Sequence, residues 1–243
     1  MVKDLISECN DFMKASDLTY AFCGGYALEL FTKQKDRIHS DVDITLFNED
    51  GKDIAGYILS KGWDVYSHMH SGNYLVKLTD PNEDILNESV YIWAVKPDCS
   101  ILKIEPKPGE TNVFHFEILN NEQTSFDFTD IIFNTRKDGM FLCDNEKNIG
   151  RELNKAILYP DHIPFLAPEV ILYIISDPAY IESDYHREKN NIDFASVPPC
   201  LSEDSLNWLT ASIECAYPNG NHRLAQLNVC SRNDEHMQLF GCP

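Results

Sequence analysis

Phe22-Cys23-Gly24-Gly25-Tyr26-Ala27-Leu28-Glu29-Leu30-Phe31 is followed, after a short polar gap, by Arg37-Ile38-His39-Ser40-Asp41-Val42-Asp43-Ile44. The apolar run 20–23 stops at a glycine pair, which predicts a short strand that ends in a tight turn. Apolar side chains then recur at helical spacing over residues 26–31, and residues 43–47 have the composition of a second strand. The order strand, glycine pair, helix, strand predicts a mixed α/β N-terminal part.

Two carboxylates mark the entry to the second strand. Asp41 and Asp43 are two residues apart, so on an extended chain both side chains face the same side. Carboxylates are hard oxygen ligands that suit Mg²⁺, which keeps several waters and also binds substrate phosphates. Two such ions, roughly 4 Å apart, stabilise the attacking and leaving oxygens of an in-line displacement. The pair therefore predicts a magnesium site that acts on a phosphate.

The glycine pair and two basic side chains predict how a phosphate would be held. Gly24 and Gly25 lie between a strand and a helix, where backbone N–H groups and the helix dipole favour an anion. Arg37 and His39 lie just before the carboxylates and would contact phosphate oxygens. Together these four residues predict a cradle for a nucleoside triphosphate.

Each of these features also has an ordinary structural explanation. With 39 acidic residues in a chain of 243, one Asp-x-Asp pair arises by chance. A glycine pair is usually a turn, and a single arginine or histidine is usually solvated or satisfied inside the core. The functional interpretation is favoured by their order along the chain.

Composition narrows the classes of function. The net charge of −19 disfavours nucleic acid as a partner, because phosphate contacts need a basic surface. The eight cysteines are scattered without a zinc-like pair, which favours reduced thiols. No apolar run approaches the roughly 20 residues of a membrane span. The first residues do not resemble a signal peptide, so we expect a soluble, cytoplasmic protein without a membrane partner.

The rest of the chain divides into a β-rich middle and a helical end. Five candidate strands are Trp63–Tyr66, Tyr74–Leu78, Val90–Val95, Ile101–Ile104 and Phe114–Leu119. From about residue 167 the spacing becomes helical, with Pro168 in a first helical turn and Ser202 before another helix. We therefore predict an α+β protein with a mixed sheet flanked by helices in residues 1–160 and a mostly helical domain in residues 161–243.

Residues 22–47 resemble the signature of the DNA polymerase β-like nucleotidyltransferase superfamily. The similarity is greatest to the branch of aminoglycoside and lincosamide nucleotidyltransferases, which shows Gly-Gly-Trp-Ala and then Arg-x-His-x-Asp-x-Asp. Tyr26 stands here in place of the tryptophan. The resemblance implies a nucleotidyltransferase fold and a Mg²⁺-dependent enzyme. Such an enzyme moves a nucleoside monophosphate from a triphosphate such as ATP to a small hydroxylated molecule, with aminoglycoside- or lincosamide-type antibiotics as candidate acceptors.

The resemblance also assigns roles beyond the signature. Residues 116–122 are similar to the strand that carries a third catalytic, metal-binding carboxylate, which places that role on Glu117. Alternation along the strand leaves another interpretation open, in which Glu117 lies on a solvated face. Residues 186–194 resemble a later helix, which makes Arg187 and Lys189 candidates for nucleotide binding.

Departures from the family pattern keep two alternatives open. Relatives often carry a lysine shortly after the helix start at Pro168, whereas the run 172–176 here has none, and Asn134-Thr135-Arg136 stands where relatives often carry paired arginines. Fewer basic groups would suit a catalytically silent nucleotide-binding protein. A toxin-like nucleotidyltransferase acting on RNA or protein is the other alternative, although the charge of −19 disfavours RNA.

Overall fold

The computed structural model describes residues 2–35, 37–69, 73–120, 122–144, 148–177 and 184–220, with the backbone alone for residues 2–4 and 184–187. Its helices are α1 (Val2–Lys14), α2 (Gly24–Thr32), α3 (Gly51–Ser60), α4 (Ile85–Glu88), α5 (Leu153–Ala156), α6 (Pro168–Ile175), α7 (Asp184–Ser196) and α8 (Glu203–Ala216). Its strands are β1 (Ala21–Cys23), β2 (Asp43–Phe47), β3 (Asp64–His68), β4 (Tyr74–Leu78), β5 (Tyr91–Val95), β6 (Leu102–Pro106), β7 (Val113–Ile118), β8 (Phe128–Lys137), β9 (Met140–Asp144), β10 (Ile149–Glu152), β11 (Ile157–Leu158) and β12 (Phe165–Leu166).

The chain forms two compact units that interleave along the sequence. Unit 1 contains Met1–Tyr26, Arg37–Thr135 and Tyr159–Phe165, and unit 2 contains Ala27–Asp36, Arg136–Leu158 and Leu166–Pro243. The sequence instead predicted one boundary between residues 160 and 161. That boundary stays a prediction, because compactness alone does not show which segments fold independently.

The strands of unit 1 lie in the order β12-β1-β2-β8-β5-β3-β4-β7-β6. β2 is parallel to β8 and β1 is parallel to β12, whereas the other neighbours in this order are antiparallel. Central parallel strands are covered on both faces and carry continuous apolar runs. Residues 44–47 of β2 are accordingly all buried.

Helices α1 and α3 bury one apolar stripe each. The stripe of α1 includes Leu5, Ile6, Cys9 and Met13, all buried and spaced at helical intervals. The hydroxyl of Tyr57 on α3 donates to a backbone carbonyl of α1 at 2.6 Å, which joins the two helices. The predicted class, a mixed sheet flanked by helices, is confirmed.

The register of the strands fixes which side chains share a face. Asp43 lies opposite Asp130, Asp130 lies opposite Trp93, and Trp93 lies opposite Tyr66. Directly opposed residues point to the same side of a sheet. These four residues therefore define one side, called here the Asp43 face.

The C-terminal part is mostly helical, as predicted. Pro168 occupies the first turn of α6, and the hydroxyl of Ser202 caps α8 by accepting a backbone N–H of its first turn. Within unit 2, buried Arg151 donates to Glu169 at 3.0 Å and to Asp204 at 2.7 Å, which joins β10 to α6 and α8. Among the described helices, none is both long and apolar enough to cross a bilayer.

Candidate active site

The glycine turn brings the chain against the first carboxylate. β1 ends at Cys23 and α2 begins at Gly24, whose φ of +60° lies in the left-handed region that favours glycine. A Cβ atom on Gly24 would lie 2.9 Å from Cγ of Asp43 and would overlap its carboxylate oxygen. Gly24 is therefore required both by the turn and by the close approach of Asp43.

Gly25 serves a second close approach, to the basic pair. A Cβ atom there would lie 2.6 Å from Nη2 of Arg37 and would overlap the ring of His39. Nη1 of Arg37 lies 2.9 Å from Nδ1 of His39. A guanidinium can only donate, so Nδ1 accepts, and a neutral His39 ring carries its proton on Nε2. The ring of Tyr26 packs on His39 at 4.5 Å between centroids. The structure thus brings together the residues of the predicted cradle.

We expect that Gly25→Ala weakens triphosphate binding by about tenfold or more, because the added methyl group displaces Arg37 and His39 from the turn. Titration of a nucleoside triphosphate in the presence of magnesium measures this. Gly56→Ala is the matched control, since φ of Gly56, like that of Gly25, lies outside the left-handed region and the nearest atom to a Cβ there belongs to Pro81, at an ordinary contact distance of 3.7 Å. Equal affinity of Gly25→Ala and wild-type protein for the triphosphate would show that Gly25, Arg37 and His39 do not bind the phosphates.

Asp41 and Asp43 lie where the sequence predicted them, at the entry to β2. Both are half-buried, and Asp41 Oδ1 accepts a hydrogen bond from the Ser40 hydroxyl at 3.1 Å. Cys23 lies opposite Asp43 across the β1–β2 pair. The pKa of the Cys23 thiol is raised well above its usual value by burial and, in smaller measure, by the charges of Asp43, Asp130 and Asp41. A buried neutral thiol therefore lies beside a group of carboxylates.

The third carboxylate of this group is Asp130, on β8. It lies directly opposite Asp43, and its Oδ1 is buried with no hydrogen-bond partner among the described residues. Burial, followed by the charges of Asp43 and Asp41, raises the pKa of Asp130 well above its usual value. The indole N–H of Trp93 opposes this rise without reaching hydrogen-bond geometry. In the metal-free protein, Asp130 therefore holds a proton well above the pH at which an ordinary aspartate loses it.

Glu117 does not occupy this position, and the prediction that its strand lies beside β2 is wrong. Four strands, β8, β5, β3 and β4, separate β2 from β7. The register shows which side of the sheet β7 presents. Lys77 of β4 lies opposite Tyr66, so it belongs to the Asp43 face, and so does Leu75, two residues before it. Leu75 in turn lies opposite Phe114 of β7. Phe114 and Phe116 thus share the Asp43 face.

Glu117 consequently points to the other side of the sheet. It is exposed and lies opposite Lys103 of β6. The solvated alternative is the one that the structure supports, because alternation along β7 places polar residues outward and phenylalanines inward. The position of Glu117 therefore does not support a metal-binding or catalytic role beside Asp41 and Asp43.

The sequence contained a signal for Asp130 that the strand prediction missed, since no strand was predicted over residues 128–137. A carboxylate on a strand with one polar face has water available to it. Asp130 instead precedes Ile131-Ile132-Phe133, an apolar run typical of a strand covered on both faces. A carboxylate in such a run is costly unless it has a partner or a ligand.

The donor set fits a hard cation, although the carboxylates do not form a closed cage. Among the described residues, no group of three or more histidine, cysteine, aspartate or glutamate side chains is already drawn together around one point. Mg²⁺ does not require such a cage, because it binds through one or two carboxylates together with waters and substrate phosphates. The unpaired Oδ1 of Asp130 and the close approach of Asp43 to Gly24 provide oxygen ligands next to a phosphate cradle.

The other two predicted nucleotide-binding residues lie on α7. Lys189 is half-buried there. The side chain of Arg187 lies outside the described part of the chain. Their role in nucleotide binding stays a prediction.

Comparisons with known proteins give similar folds at low sequence identity. No protein-family profile and no curated protein matches the chain. The lincosamide antibiotic adenylyltransferase LnuA is 12% identical with a TM-score of 0.46, over 78% of this chain and 94% of LnuA. The antibiotic-resistance factor ANT(2'')-Ia is 12% identical with a TM-score of 0.44, over 90% and 96% of the two chains. A nucleotidyltransferase-like protein from Paracoccidioides brasiliensis is 13% identical with a TM-score of 0.47, over 93% and 91%.

LnuA and ANT(2'')-Ia belong to the branch that residues 22–47 resemble. With TM-scores below 0.5, they carry no argument about chemistry. The chemistry of this chain rests on its own site.

Proposed function

We propose that this protein is a magnesium-dependent nucleotidyltransferase that uses a nucleoside triphosphate and a small hydroxylated acceptor. The observation that carries the proposal is the juxtaposition of Asp43 and Asp130 on adjacent strands, next to the turn at Gly24 and with Asp41 two residues away. The charges of Asp43 and Asp41 help to raise the pKa of buried Asp130, so this group of carboxylates is costly to bring together without a cation. A glycine turn at a helix N-terminus supplies the complementary anion site.

Asp41, Asp43 and Asp130 are the residues that would hold the magnesium ions. When bound, the ions neutralise the charge of the triphosphate and stabilise the attacking and leaving oxygens. The backbone N–H groups at Gly24 and Gly25, together with Arg37, orient the phosphates. His39 positions Arg37 by accepting its hydrogen bond.

The reaction is a single in-line displacement. The oxygen of the acceptor hydroxyl bonds to the α-phosphorus, while the bond from that phosphorus to the oxygen bridging to the β-phosphate breaks. Pyrophosphate leaves with the electron pair, and the hydroxyl proton passes to Asp130 once that carboxylate is ionised. Phosphoryl-type transfer depends mainly on positioning and charge neutralisation, so this small set of side chains suffices.

The acceptor that we propose is a small molecule and not a nucleic acid. A net charge of −19 opposes the approach of a polyanion. LnuA was solved with lincomycin and ANT(2'')-Ia with adenylyl-2''-tobramycin, which makes hydroxylated antibiotics suitable first acceptors to test. Screening them with radiolabelled triphosphates and magnesium tests the proposal, and labelled product that depends on Asp43 would support it.

We expect the protein to bind a nucleoside triphosphate at least about tenfold more weakly without magnesium. The carboxylates of Asp41 and Asp43 repel the phosphates unless a cation lies between them. Calorimetric titration with magnesium and with excess chelator measures the difference. Equal affinity under both conditions, or no binding under either, would contradict the metal-dependent assignment.

A further inference from the structure

The Asp43 face continues beyond Asp130 as a surface of aromatic rings. Trp93 lies directly opposite Asp130, and its ring contacts Phe116 of β7 at 4.8 Å between centroids. The ring of His68 lies 5.5 Å from that of Phe116, 5.8 Å from that of Trp93 and 5.7 Å from that of Tyr91. His68, Tyr91, Trp93 and Phe116 are called here the aromatic wall.

The aromatic wall has a buried base and a more accessible upper part. Trp93 and Phe116 are buried, whereas His68 and Tyr91 are only half-buried. The rings of His68 and Tyr91 are inclined to each other by 36°. His68 and Tyr91 keep part of their surface exposed in addition to these contacts, and a flat ligand at that surface would gain energy from offset or tilted stacking.

Charged side chains on the side of the aromatic wall away from Asp130 are paired with each other or lie on the other side of the sheet, whereas Asp130 itself adjoins Trp93. Lys77, on the Asp43 face, pairs with Asp64 at 2.7 Å. Lys103 and Glu105 of β6 pair with each other at 3.0 Å and flank Ile104, which lies opposite Phe116. They therefore point away from the Asp43 face, as Glu117 does. Away from the carboxylates, this part of the face therefore offers a ligand contacts with rings and not with an unpaired charge of Lys77, Lys103 or Glu105.

The geometry of the displacement assigns this region to the acceptor. In an in-line transfer, the leaving pyrophosphate and the attacking hydroxyl lie on opposite sides of the phosphorus. The phosphate cradle lies at the end of β1, the carboxylates lie on β2 and β8, and the wall begins on β5. Three strand intervals, about 14 Å, separate the two flanks. That span accommodates a triphosphate on one flank and a ring-bearing alcohol on the other.

We propose that the aromatic wall binds the acceptor, and that the acceptor is a molecule with a flat unsaturated ring that carries the reacting hydroxyl nearby. This proposal rests on the proposed function for the direction of transfer. His68 and Tyr91 bind the ring, and Trp93 places it next to Asp130.

A binding experiment tests the wall without requiring transfer. Ligand-observed NMR measures the affinity of 2-naphthylmethanol, with cyclohexylmethanol and glucosamine as acceptors without an aromatic ring. We expect 2-naphthylmethanol to bind about tenfold more tightly than either of them, since two ring contacts together are worth about one factor of ten. Tyr91→Ala and His68→Ala should each remove most of this preference, and Tyr91→Phe should retain it.

The opposite side of the sheet supplies a matched control. Tyr74 and His115 form a similar pair there, also 5.7 Å apart, and Tyr74 lies next to Leu75 and so points away from the Asp43 face. Tyr74→Ala should leave binding of 2-naphthylmethanol unchanged. Melting temperatures of all variants show whether a loss of binding reflects unfolding.

Failure of the wall and failure of the proposed function give different results. If Tyr91→Ala and His68→Ala bind 2-naphthylmethanol like the wild-type protein, the wall is not an acceptor site. If Tyr91→Ala weakens binding of the triphosphate and not of the alcohol, the wall holds the nucleobase and the acceptor assignment is overturned. If the alcohol binds at the wall, but no label passes from the triphosphate to any alcohol and no pyrophosphate exchange occurs, then the wall is a binding site and the proposed transferase function is wrong.

Discussion

Replacing Asp43 by asparagine should reduce nucleotide transfer by about a thousandfold or more at saturating magnesium. The substitution keeps the shape of the side chain and removes the charge that a cation needs, and the lost charge stabilisation of several kcal/mol corresponds to about three powers of ten in rate. Asp41→Asn should act in the same direction. Initial rates with radiolabelled triphosphate, before and after raising the magnesium concentration, measure the effect.

The matched control for Asp43→Asn is Asp53→Asn. Asp53 is an exposed aspartate on α3, so its replacement changes the net charge equally without touching the site. Asp53→Asn should transfer at the wild-type rate. If Asp43→Asn does so too, the proposed metal site is incorrect, and if it lowers the melting temperature strongly, the residue is structural.

Asp130→Asn should reduce the rate of nucleotide transfer by a factor of about a hundred to ten thousand, which is the range expected for the loss of a general base. Glu117→Gln should leave the rate unchanged, because Glu117 is exposed on the other side of the sheet. The pair therefore compares the two candidates for the third carboxylate directly. Loss of activity in Glu117→Gln with full activity in Asp130→Asn would reverse the assignment made from the register of the strands.

The same Asp130→Asn substitution should stabilise the metal-free protein near neutral pH. The pKa of Asp130 is raised in the folded state. Between the ordinary aspartate pKa and this raised value, the folded chain therefore holds a proton that the unfolded chain has lost. Wild-type stability thus falls as the pH rises through that window, and Asp130→Asn lacks this slope.

Melting temperatures recorded without metal across the acidic to neutral range measure this difference. Near neutral pH, the variant should melt a few degrees higher than the wild-type protein, since each kcal/mol of stability corresponds to about 2–4 °C in melting temperature for a chain of this size. Below about pH 4, the two proteins should melt at the same temperature. A lower melting temperature at all pH values would show that Asp130 is not destabilising in its present environment.

The sequence alone predicted those site residues and helix starts that depend on local patterns along the chain. Gly24 and Asp43 were identified because a glycine turn and alternating carboxylates are local patterns, and the structure places them together. Pro168 and Ser202 likewise mark helix starts through local rules about backbone donors and φ. These features depend on residues that are near neighbours along the chain.

The third carboxylate depends on a non-local feature, the pairing of β2 with β8. Parallel pairing of strands more than 80 residues apart leaves no local pattern, and the register Asp43–Asp130 cannot be read from either strand alone. Glu117 was chosen because its neighbours resemble a family segment. Whether such a carboxylate is solvated or buried as a ligand depends on the place of its strand in the sheet, which the local sequence does not determine.

The interleaving of the two units limits how the protein can be divided. A fragment ending at residue 160 would lack β12, the strand that covers the outer edge of β1. The N–H of Phe22 would lose the carbonyl of Pro164, which it now donates to at 2.8 Å, two residues before Gly24. An uncovered edge so close to the glycine turn would invite pairing between molecules. Truncation at that point would therefore yield aggregating material instead of an isolated catalytic domain.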